Sequence, residues 1–406
     1  MEAREGGSDA AKIERGAGLD CGGIWDGRGG RRRKRGESSR RCSRKTGKEL
    51  AKGKGCGERR GKNGGEEVPH QARGHAERAG LKMAQVTFLE AIRQALFEEM
   101  ERDPAVVMIG EDIGVYGGAF KVTAGLLERF GWERVIDTPI SETAIIGAAV
   151  GMSYQGLRPV AEMQFIDFIA CCFNQITNFV AKSHYRWDAP VPMVVRGPSG
   201  GGVHGGPYHS QNPEMYFVHT PGLKVVYPAT AYDAKGLLKS AIRDNNPVLF
   251  FEHKFLYRRI KEELPTEEYT VPLGKAIVRR EGRDLTIVSY AAAMHTSLEA
   301  AEALAREGIE CEVVDLRTLL PLDKETILAS VGKTNRLLVV HEDTCTGGIA
   351  GEIAASVFEG AFDELDAPVM RVTALDTPVP YSPPLEERFL PNAEKIAAAA
   401  RELARY

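Results

Sequence analysis

Residues 137–156, DTPISETAIIGAAVGMSYQG, decide how the rest of this chain folds. A proline-containing turn precedes Ser141 and Glu142, and an almost continuous apolar run follows them. Ser141 stands where a helix N-cap is expected, so the run predicts a helix with Glu142 in its first turn. A helix that is apolar on nearly all sides is buried, and the Gly147-xxx-Gly151 spacing lets another backbone approach closely. The sequence therefore places the Glu142 carboxylate at the entrance to a dry, tightly packed region.

Taken alone, a glutamate at this position is usually a first-turn acid that interacts with the helix dipole. That interpretation stays open until the remaining motifs of the chain are considered.

Composition divides the chain at Met83. Residues 1–82 carry 22 basic and 12 acidic residues and the remainder carries 31 basic and 44 acidic residues, so the net charges are +10 and −13. The first segment has few aliphatic residues and cannot repay the entropy of ordering, which predicts a disordered extension. A basic arm for nucleic acid or lipid and a targeting peptide are the alternatives. We favour a solvated tail with Met83 as the true start, which the intact mass of the natively expressed protein tests.

The 324 residues from Met83 onward are enough for two domains with full cores. We find no signal peptide and no apolar stretch of membrane-spanning length, so we predict no membrane partner. The acidic body argues against nucleic acid as a partner. The seven cysteines show no metal-ligand spacing, and reduced thiols in a cytoplasmic protein are expected.

Apolar strands alternate with helical segments along residues 83–262 and again along residues 278–406. This alternation predicts an α/β fold with two parallel-sheet, three-layer domains, joined by a charged, proline-containing linker over residues 263–277. The predicted strands cover residues 105–109, 134–136, 158–163, 192–196, 223–227, 247–251, 285–290, 311–316, 336–340 and 368–374. The predicted helices, besides the one already described, cover residues 88–102, 122–130, 165–182, 231–243, 297–306, 324–330, 352–358 and 393–404.

Two histidines stand in the Gly-rich segment RGPSGGGVHGGPYHSQNPE over residues 196–214. Imidazoles in such a loop, here His204 and His209, can move protons near neutral pH, although solvated or backbone-bonded histidines are an equally good interpretation. The segment resembles a phosphate cradle but lacks the Lys-Ser/Thr pair of a P-loop. Further on, Asp244 and Asn246 lie in the sequence DNNP, which is usually only a turn but offers oxygens suited to a hard cation.

Several longer motifs occur in one order along the chain. They are GEDIG (110–114), DTPISE (137–142), GLRPVAEMQF (156–165), RGPSG and YHSQNPE (within 196–214), PGLKVVYPAT (221–230), KSAIRDNNPVLFFEHKFLYR (239–258) and VVHEDTCTGG (339–348). Together they resemble the beta subunit of the thiamine-diphosphate-dependent decarboxylating component of 2-oxo acid dehydrogenase complexes. The resemblance covers residues 83–406. It implies a pyrimidine-binding, transketolase-like domain followed by a transketolase C-terminal domain, and it is greater to branched-chain members than to pyruvate or acetoin members.

The resemblance also implies roles for individual residues. Glu142 matches the glutamate that hydrogen-bonds the aminopyrimidine ring nitrogen of thiamine diphosphate, and a dry site strengthens such a bond. Phe168 matches the aromatic residue that packs on the pyrimidine, and Glu111, in GEDIG, is a further cofactor-binding residue. His209 matches the histidine placed for proton transfer during reductive acylation of the lipoyl group. His204 is the second candidate acid or base.

Metal ions and partners follow from the same resemblance. It implies a structural potassium site built largely from backbone carbonyls, with the ligands Met193, Ala241, Ile242, Asp244 and Asn246. Thiamine enzymes hold the diphosphate through Mg²⁺ bound by a GDG…N motif, and this chain contains no GDG. An alpha subunit is therefore expected to supply the metal and diphosphate end in an α2β2 heterotetramer, with a lipoylated dihydrolipoyl acyltransferase as acyl acceptor. A self-contained transketolase-type enzyme and a non-catalytic α/β binding module are the alternatives.

Overall fold

The computed structural model describes residues 83–406, and the predicted extension over residues 1–82 lies outside that range. The first part contains β1 (Met83–Thr87), α1 (Phe88–Arg102), β2 (Val106–Glu111), α2 (Leu126–Phe130), β3 (Val135–Thr138), α3 (Glu142–Tyr154), β4 (Arg158–Glu162), α4 (Ser183–Trp187), β5 (Val194–Ser199), α5 (Met215–Val218), β6 (Lys224–Val226), α6 (Ala231–Arg243), β7 (Val248–His253) and β8 (Lys261–Pro265). The second part contains β9 (Ile277–Arg280), β10 (Leu285–Ser289), α7 (Ala291–Ala305), β11 (Cys311–Asp315), β12 (Thr318–Leu320), α8 (Lys324–Thr334), β13 (Leu337–Thr344), α9 (Ala350–Ala361), β14 (Met370–Ala374), α10 (Pro383–Phe389) and α11 (Ala393–Leu403).

The first sheet has seven strands in the order β12-β6-β7-β5-β4-β2-β3. Strands β6 to β3 run parallel, and β12 is antiparallel to β6. Successive residues of β2 face opposite sides: Met108 packs with Ile92 of α1, whereas Ile109 packs with Ile146 of α3. Both faces are therefore covered, as the continuous apolar strands predict.

The second sheet has five strands in the order β14-β13-β10-β11-β9, all parallel except β9. One face packs on α7 and α11, and Ile287 of β10 and Ile396 of α11 belong to the same hydrophobic cluster. The other face belongs to the same hydrophobic cluster as Ile109 and Ile146 of the first half. The predicted α/β class with two parallel-sheet units is confirmed, and the two sheets share a continuous core.

Strand β12 is the main departure from two separate units. It follows β11 of the second sheet in sequence but pairs with β6 at the edge of the first sheet. A strand of only three residues is too short to be predicted from an apolar pattern. Strands β1 and β8 and helix α10 were not predicted from the sequence either, and β8 lies partly inside the segment that was predicted to be a linker.

The prediction of one helix over residues 165–182 is wrong. The backbone forms a 3₁₀ helix over Ile166–Cys172 and then a π-helix over Gln175–Val180. Apolar spacing predicts a helical period but does not distinguish α, 3₁₀ and π helices. Tertiary contacts determine the helix type in this segment. Asp167 at the start of the segment accepts a hydrogen bond from the distant Gln211 N–H at 2.9 Å.

Helix α3 begins at Glu142, as predicted, but it is not buried on all sides. The Ser141 side chain makes no capping hydrogen bond, and its hydroxyl donates to the Pro139 carbonyl at 2.9 Å instead. In this chain a Cβ added at Gly147 or Gly151 would meet nothing within 4 Å. The prediction of burial on nearly all sides is therefore wrong for the single chain. The small-residue face of α3 is open, and the opposite face carries the buried residues Ile145, Ile146, Ala149, Val150 and Ser153.

Two general properties of residues 83–406 bear on the expected environment of the protein. No helix of these residues combines the length and the apolar character that crossing a bilayer requires. The four cysteines in this range, Cys171, Cys172, Cys311 and Cys345, all have free thiols.

Candidate active site

Two carboxylates meet where β2 ends and α3 begins. Glu111 is buried at the end of β2, and its Oε1 accepts the Ser141 N–H at 3.3 Å. Burial raises the pKa of Glu111, and the neighbouring Glu142 carboxylate adds to the shift. Glu142 itself is partly buried, and no residue of the described range makes a hydrogen bond to its carboxylate. The structure thus brings these two predicted site residues together and leaves the Glu142 oxygens free for a ligand.

The 3₁₀ segment that carries Phe168 lies against the start of α3. The Thr143 hydroxyl donates to the Cys171 carbonyl at 2.7 Å. Burial raises the pKa of the Cys172 thiol to about 12, with further contributions from Cys171 and from the Glu142 charge. Glu142 is therefore close to the segment that holds the predicted pyrimidine-packing residue.

An aromatic cluster joins Phe168 to His209. The imidazole of His209 packs edge-on against Phe165, with ring centroids 4.6 Å apart, and against Phe168, at 5.6 Å. The hydrogen bond from Gln211 to Asp167 ties the two chain segments together, and the second oxygen of Asp167 is buried without a partner in the described residues. The structure brings Phe168 and His209 into direct contact.

His204 lies elsewhere on the same loop. Its backbone is left-handed, with φ of 60°, and its Nδ1 lies 2.6 Å from Oε2 of Glu386 in α10. The prediction of a flexible loop histidine did not include this partner, because Glu386 follows 182 residues later in the sequence.

A second carboxylate of the second half, which is only partly buried, also holds the loop. Glu342, in β13, lies 2.9 Å from Nε2 of the buried His253 and accepts the Gly201 N–H at 3.2 Å and the Asn212 amide at 3.4 Å. Burial alone would raise the pKa of Glu342, but His253 and these donors bring it below its usual range. Glu342 and His253 lie in the sequence motifs VVHEDT and FFEHK, but their contact joins residues 89 positions apart and is not predictable from either motif.

A buried ion cluster links three adjacent strands of the first sheet. Arg196 of β5 pairs with Glu162 of β4 and with Glu252 of β7, and the Tyr257 hydroxyl donates to Glu252 at 2.7 Å. All four side chains are buried. Buried ion pairs of this kind are costly to break because the remaining charge stays desolvated, so the cluster holds β4, β5 and β7 firmly together.

Glu214, in the YHSQNPE motif, is a fully buried carboxyl at the contact between the two halves. Its Oε1 accepts the Tyr290 hydroxyl at 2.6 Å, and its Oε2 has no partner in the described residues. Burial, and after it the Asp343 carboxylate, raises the pKa of Glu214 to about 8. Near neutral pH the folded protein therefore keeps a proton here that the unfolded chain releases.

We expect this proton to make stability fall as pH rises from about 5 to 8, because the folded state binds more protons than the unfolded state in that window. Glu214→Gln has no proton to lose, so the difference between its thermal midpoint and that of wild type should increase by roughly 4–5 °C between pH 5.5 and 8, which corresponds to about 3 kcal/mol. Thermal melts at pH 5.5 and 8 measure this difference. The exposed Glu359→Gln is the matched control, and parallel pH dependences of Glu214→Gln and wild type would contradict the prediction.

The predicted potassium ligands lie together where α6 ends and β7 begins. Arg158 donates to the carbonyls of Ile242 and Asp244, each at 3.0 Å, and Lys224 pairs with the Asp244 carboxylate. Each of these carbonyl oxygens keeps a second lone pair for a cation. The other three predicted ligands are also engaged: Met193 accepts from Val248 N–H, Ala241 accepts from Asp244 N–H, and the Asn246 side-chain oxygen contacts His184.

These observations fit thiamine diphosphate at its pyrimidine end. A heteroaromatic ring with a basic nitrogen needs an unpaired carboxylate and an aromatic surface, and Glu142 and Phe168 offer these close to one another. The fold and this pair of features define a transketolase-like α/β protein.

Comparison with known proteins agrees with this class. Residues 84–259 match the family model "Transketolase, pyrimidine binding domain", and residues 274–396 match "Transketolase, C-terminal domain". The chain belongs to the family of beta subunits of thiamine-diphosphate-dependent 2-oxo acid dehydrogenases. It is 52% identical over 327 residues to the 2-oxoisovalerate dehydrogenase subunit beta of Bacillus subtilis, covering 80% of this chain and 100% of that protein.

Two further relatives are nearly as similar. The pyruvate dehydrogenase E1 component subunit beta of Bacillus subtilis is 48% identical and covers 79% of this chain and 99% of its own length. The acetoin:2,6-dichlorophenolindophenol oxidoreductase subunit beta of Cupriavidus necator is also 48% identical, covering 77% and 95%. Among solved structures, a chain described as "Split gene transketolase, inactive beta4 tetramer" has a TM-score of 0.66 over 79% of this chain and 98% of its own length; at 24% identity it supports the fold alone.

Proposed function

We propose that this chain is the beta subunit of an α2β2 2-oxo acid dehydrogenase, which decarboxylates a 2-oxo acid and passes the acyl group to lipoyl-lysine on a dihydrolipoyl acyltransferase. The observation that carries the proposal is the free carboxylate of Glu142 at the start of α3, beside the segment that bears Phe168. A non-catalytic α/β module has no need for an unpaired carboxylate in this position.

In the proposed reaction, Glu142 binds the ring nitrogen of the cofactor's aminopyrimidine and shares a proton with it. Phe168 packs on that ring, and Glu111 supports the site from the end of β2. Thiamine diphosphate, when bound, supplies the carbon nucleophile and the electron sink that decarboxylation requires. The protein residues orient the ring and hold a proton at its nitrogen.

His209 is proposed to transfer protons when the acyl group passes to the lipoyl disulfide. The edge-on packing against Phe165 and Phe168 supports this role, because it fixes the imidazole beside the proposed pyrimidine site. An imidazole can donate or accept a proton near neutral pH. His204 is the second proposed acid or base.

An alpha subunit is proposed to complete the site and to supply most Mg²⁺ ligands at the diphosphate end. The absence of a GDG motif from the sequence supports this division, as do the names of the relatives, which are all subunits beta. The open face of α3 at Gly147 and Gly151 is suited to close packing against another chain.

Two finer assignments belong to the same proposal. A structural K⁺ would use the lone pairs gathered near Asp244 and Asn246, and exchange of K⁺ for Na⁺ should then lower the thermal midpoint of the assembled enzyme. The free thiols of the described cysteines support a cytoplasmic location, which fractionation of the native cells tests.

The substrate is proposed to be a branched-chain 2-oxo acid such as 2-oxoisovalerate, with pyruvate and then acetoin as alternatives. The relative at 52% identity, named for 2-oxoisovalerate, supports this order over the two at 48%. Specificity constants of the enzyme coexpressed with its alpha subunit should be highest for 2-oxoisovalerate. A higher value for pyruvate or acetoin would replace the substrate assignment without affecting the reaction class.

A further inference from the structure

Glu386 is a buried carboxylate in the second half of the chain, and within residues 83–406 its hydrogen bonds all go to the Gly-rich loop of the first half. Its relative exposure is 1%. Its Oε1 accepts the Gly202 N–H at 3.0 Å, and its Oε2 accepts the His204 N–H at 3.2 Å. The same Oε2 lies 2.6 Å from His204 Nδ1.

This arrangement fixes the tautomer of the neutral His204 imidazole. An ionised carboxylate only accepts hydrogen bonds, so Nδ1 must carry a proton at this distance. In the neutral ring, Nε2 is then the nitrogen with a free lone pair. Among the described residues, three donors of this loop point to the carboxylate, and the positive charge of Lys254 also interacts with it.

The remainder of the imidazole is accessible. The His204 side chain is 52% exposed, and none of the described residues makes a hydrogen bond to its Nε2. His204 borders a cavity of about 730 Å³ between the two halves, together with His253, Phe255 and Leu390. The ring is thus bonded on one side and open to a reactant on the other.

We propose that Glu386 is a positioning residue of the active site, which holds His204 with its proton on Nδ1 and presents Nε2 to this cavity as a proton acceptor. The proposal rests on the proposed function and makes the second half of the chain part of the catalytic apparatus. A buried carboxylate that orients a histidine in this way is a recurring device in acid–base catalysis. The competing interpretation is that Glu386 only anchors the loop through its two backbone bonds.

A double-mutant cycle in the assembled α2β2 enzyme separates the two interpretations. Glu386→Gln, His204→Ala and the double variant are compared with wild type for kcat of acyl transfer to a lipoylated domain. We expect each single variant to lose about 10-fold or more and the double variant to lose no more than His204→Ala. A purely structural anchor would also displace His209, so the two losses would multiply and the proposal would be overturned.

Further variants provide the controls. His204→Asn keeps a donor near the Nδ1 position and should leave the loop intact, yet it should lose kcat like His204→Ala, because it lacks Nε2. Glu394→Gln, at an exposed position of the second half that does not line this cavity, should behave as wild type. If Glu386→Gln does not fold, Glu386→Asp replaces it in the double-mutant cycle, and the same comparison separates positioning of His204 from anchoring of the loop. His204→Asn or His204→Ala with wild-type kcat would also overturn the proposal.

The proposed function is checked separately in the same preparations. Wild-type enzyme that fails to decarboxylate any 2-oxo acid would contradict the proposed function. Active wild-type enzyme with fully active Glu386→Gln would contradict only the positioning role.

Discussion

Glu142→Gln in the assembled α2β2 enzyme is expected to lower the rate of 2-oxo acid decarboxylation by about 10²–10⁴-fold, the range typical for loss of a positioned acid or base. The amide is nearly the same size as the carboxylate, so packing at the start of α3 should be preserved. It carries no negative charge, however, and cannot share a proton with a ring nitrogen in the way that a carboxylate does. Decarboxylation measured with an artificial electron acceptor isolates this step from acyl transfer.

The matched control is Glu128→Gln. Glu128 also lies in the first turn of a helix, α2, but it is exposed and distant in sequence from the proposed site. It should retain wild-type activity, and both variants should keep the wild-type circular dichroism spectrum. A Glu142→Gln enzyme that decarboxylates at the wild-type rate would show that Glu142 is only a first-turn acid, the simpler interpretation of its sequence position.

His209→Ala is expected to impair acyl transfer more than decarboxylation. We predict a loss of about 100-fold in the rate with a lipoylated domain, but less than about 10-fold in decarboxylation read with an artificial acceptor. The difference arises because protons must be delivered when the lipoyl disulfide opens, and the artificial acceptor does not require that step. His209→Gln, which keeps more of the contact with Phe165 and Phe168, distinguishes lost proton transfer from lost packing.

The exposed His219→Ala provides the control for His209, since it removes an imidazole ten residues further along the chain. It should leave both rates unchanged. Equal losses of His209→Ala in the two assays would refute a specific role in acyl transfer.

The sequence analysis predicted those parts of the fold that depend on local pattern. The turn before Ser141 and the apolar run after it located the start of α3 correctly, because helix boundaries and hydrophobic runs are short-range features. The same reasoning failed over residues 165–182, where 3₁₀ and π geometry replaces the predicted helix. In that segment Asp167 contacts Gln211, 44 residues away, and no periodic pattern predicts such a contact.

The residues of the candidate site also fall into two groups, those that local motifs predict and those that only the tertiary structure brings together. Glu142 and His209 lie in motifs that carry the resemblance, Phe168 follows one of them by three residues, and the structure places the three at neighbouring positions. Glu342 and Glu386 hold the Gly-rich loop from the second half of the chain, 141 and 182 residues away from their partners. No spacing rule connects such residues, and they were found only when the fold brought the two halves together.

The open face of α3 is a feature that the sequence predicts only in part. The sequence correctly identified a helix with little side-chain bulk at Gly147 and Gly151, but its expected burial is not reached within one chain. A sequence pattern does not distinguish packing inside a chain from packing between chains. The proposal of an alpha subunit gives this face a partner.

The central claim is that this chain supplies one half of a thiamine-dependent decarboxylation site. The most direct measurement is CO₂ release from 2-oxoisovalerate and pyruvate, with thiamine diphosphate and Mg²⁺, by this chain alone, by the alpha subunit alone and by the two together. We predict CO₂ release only from the combined subunits. Release by this chain alone, or none from the combined subunits with either substrate, would contradict the account.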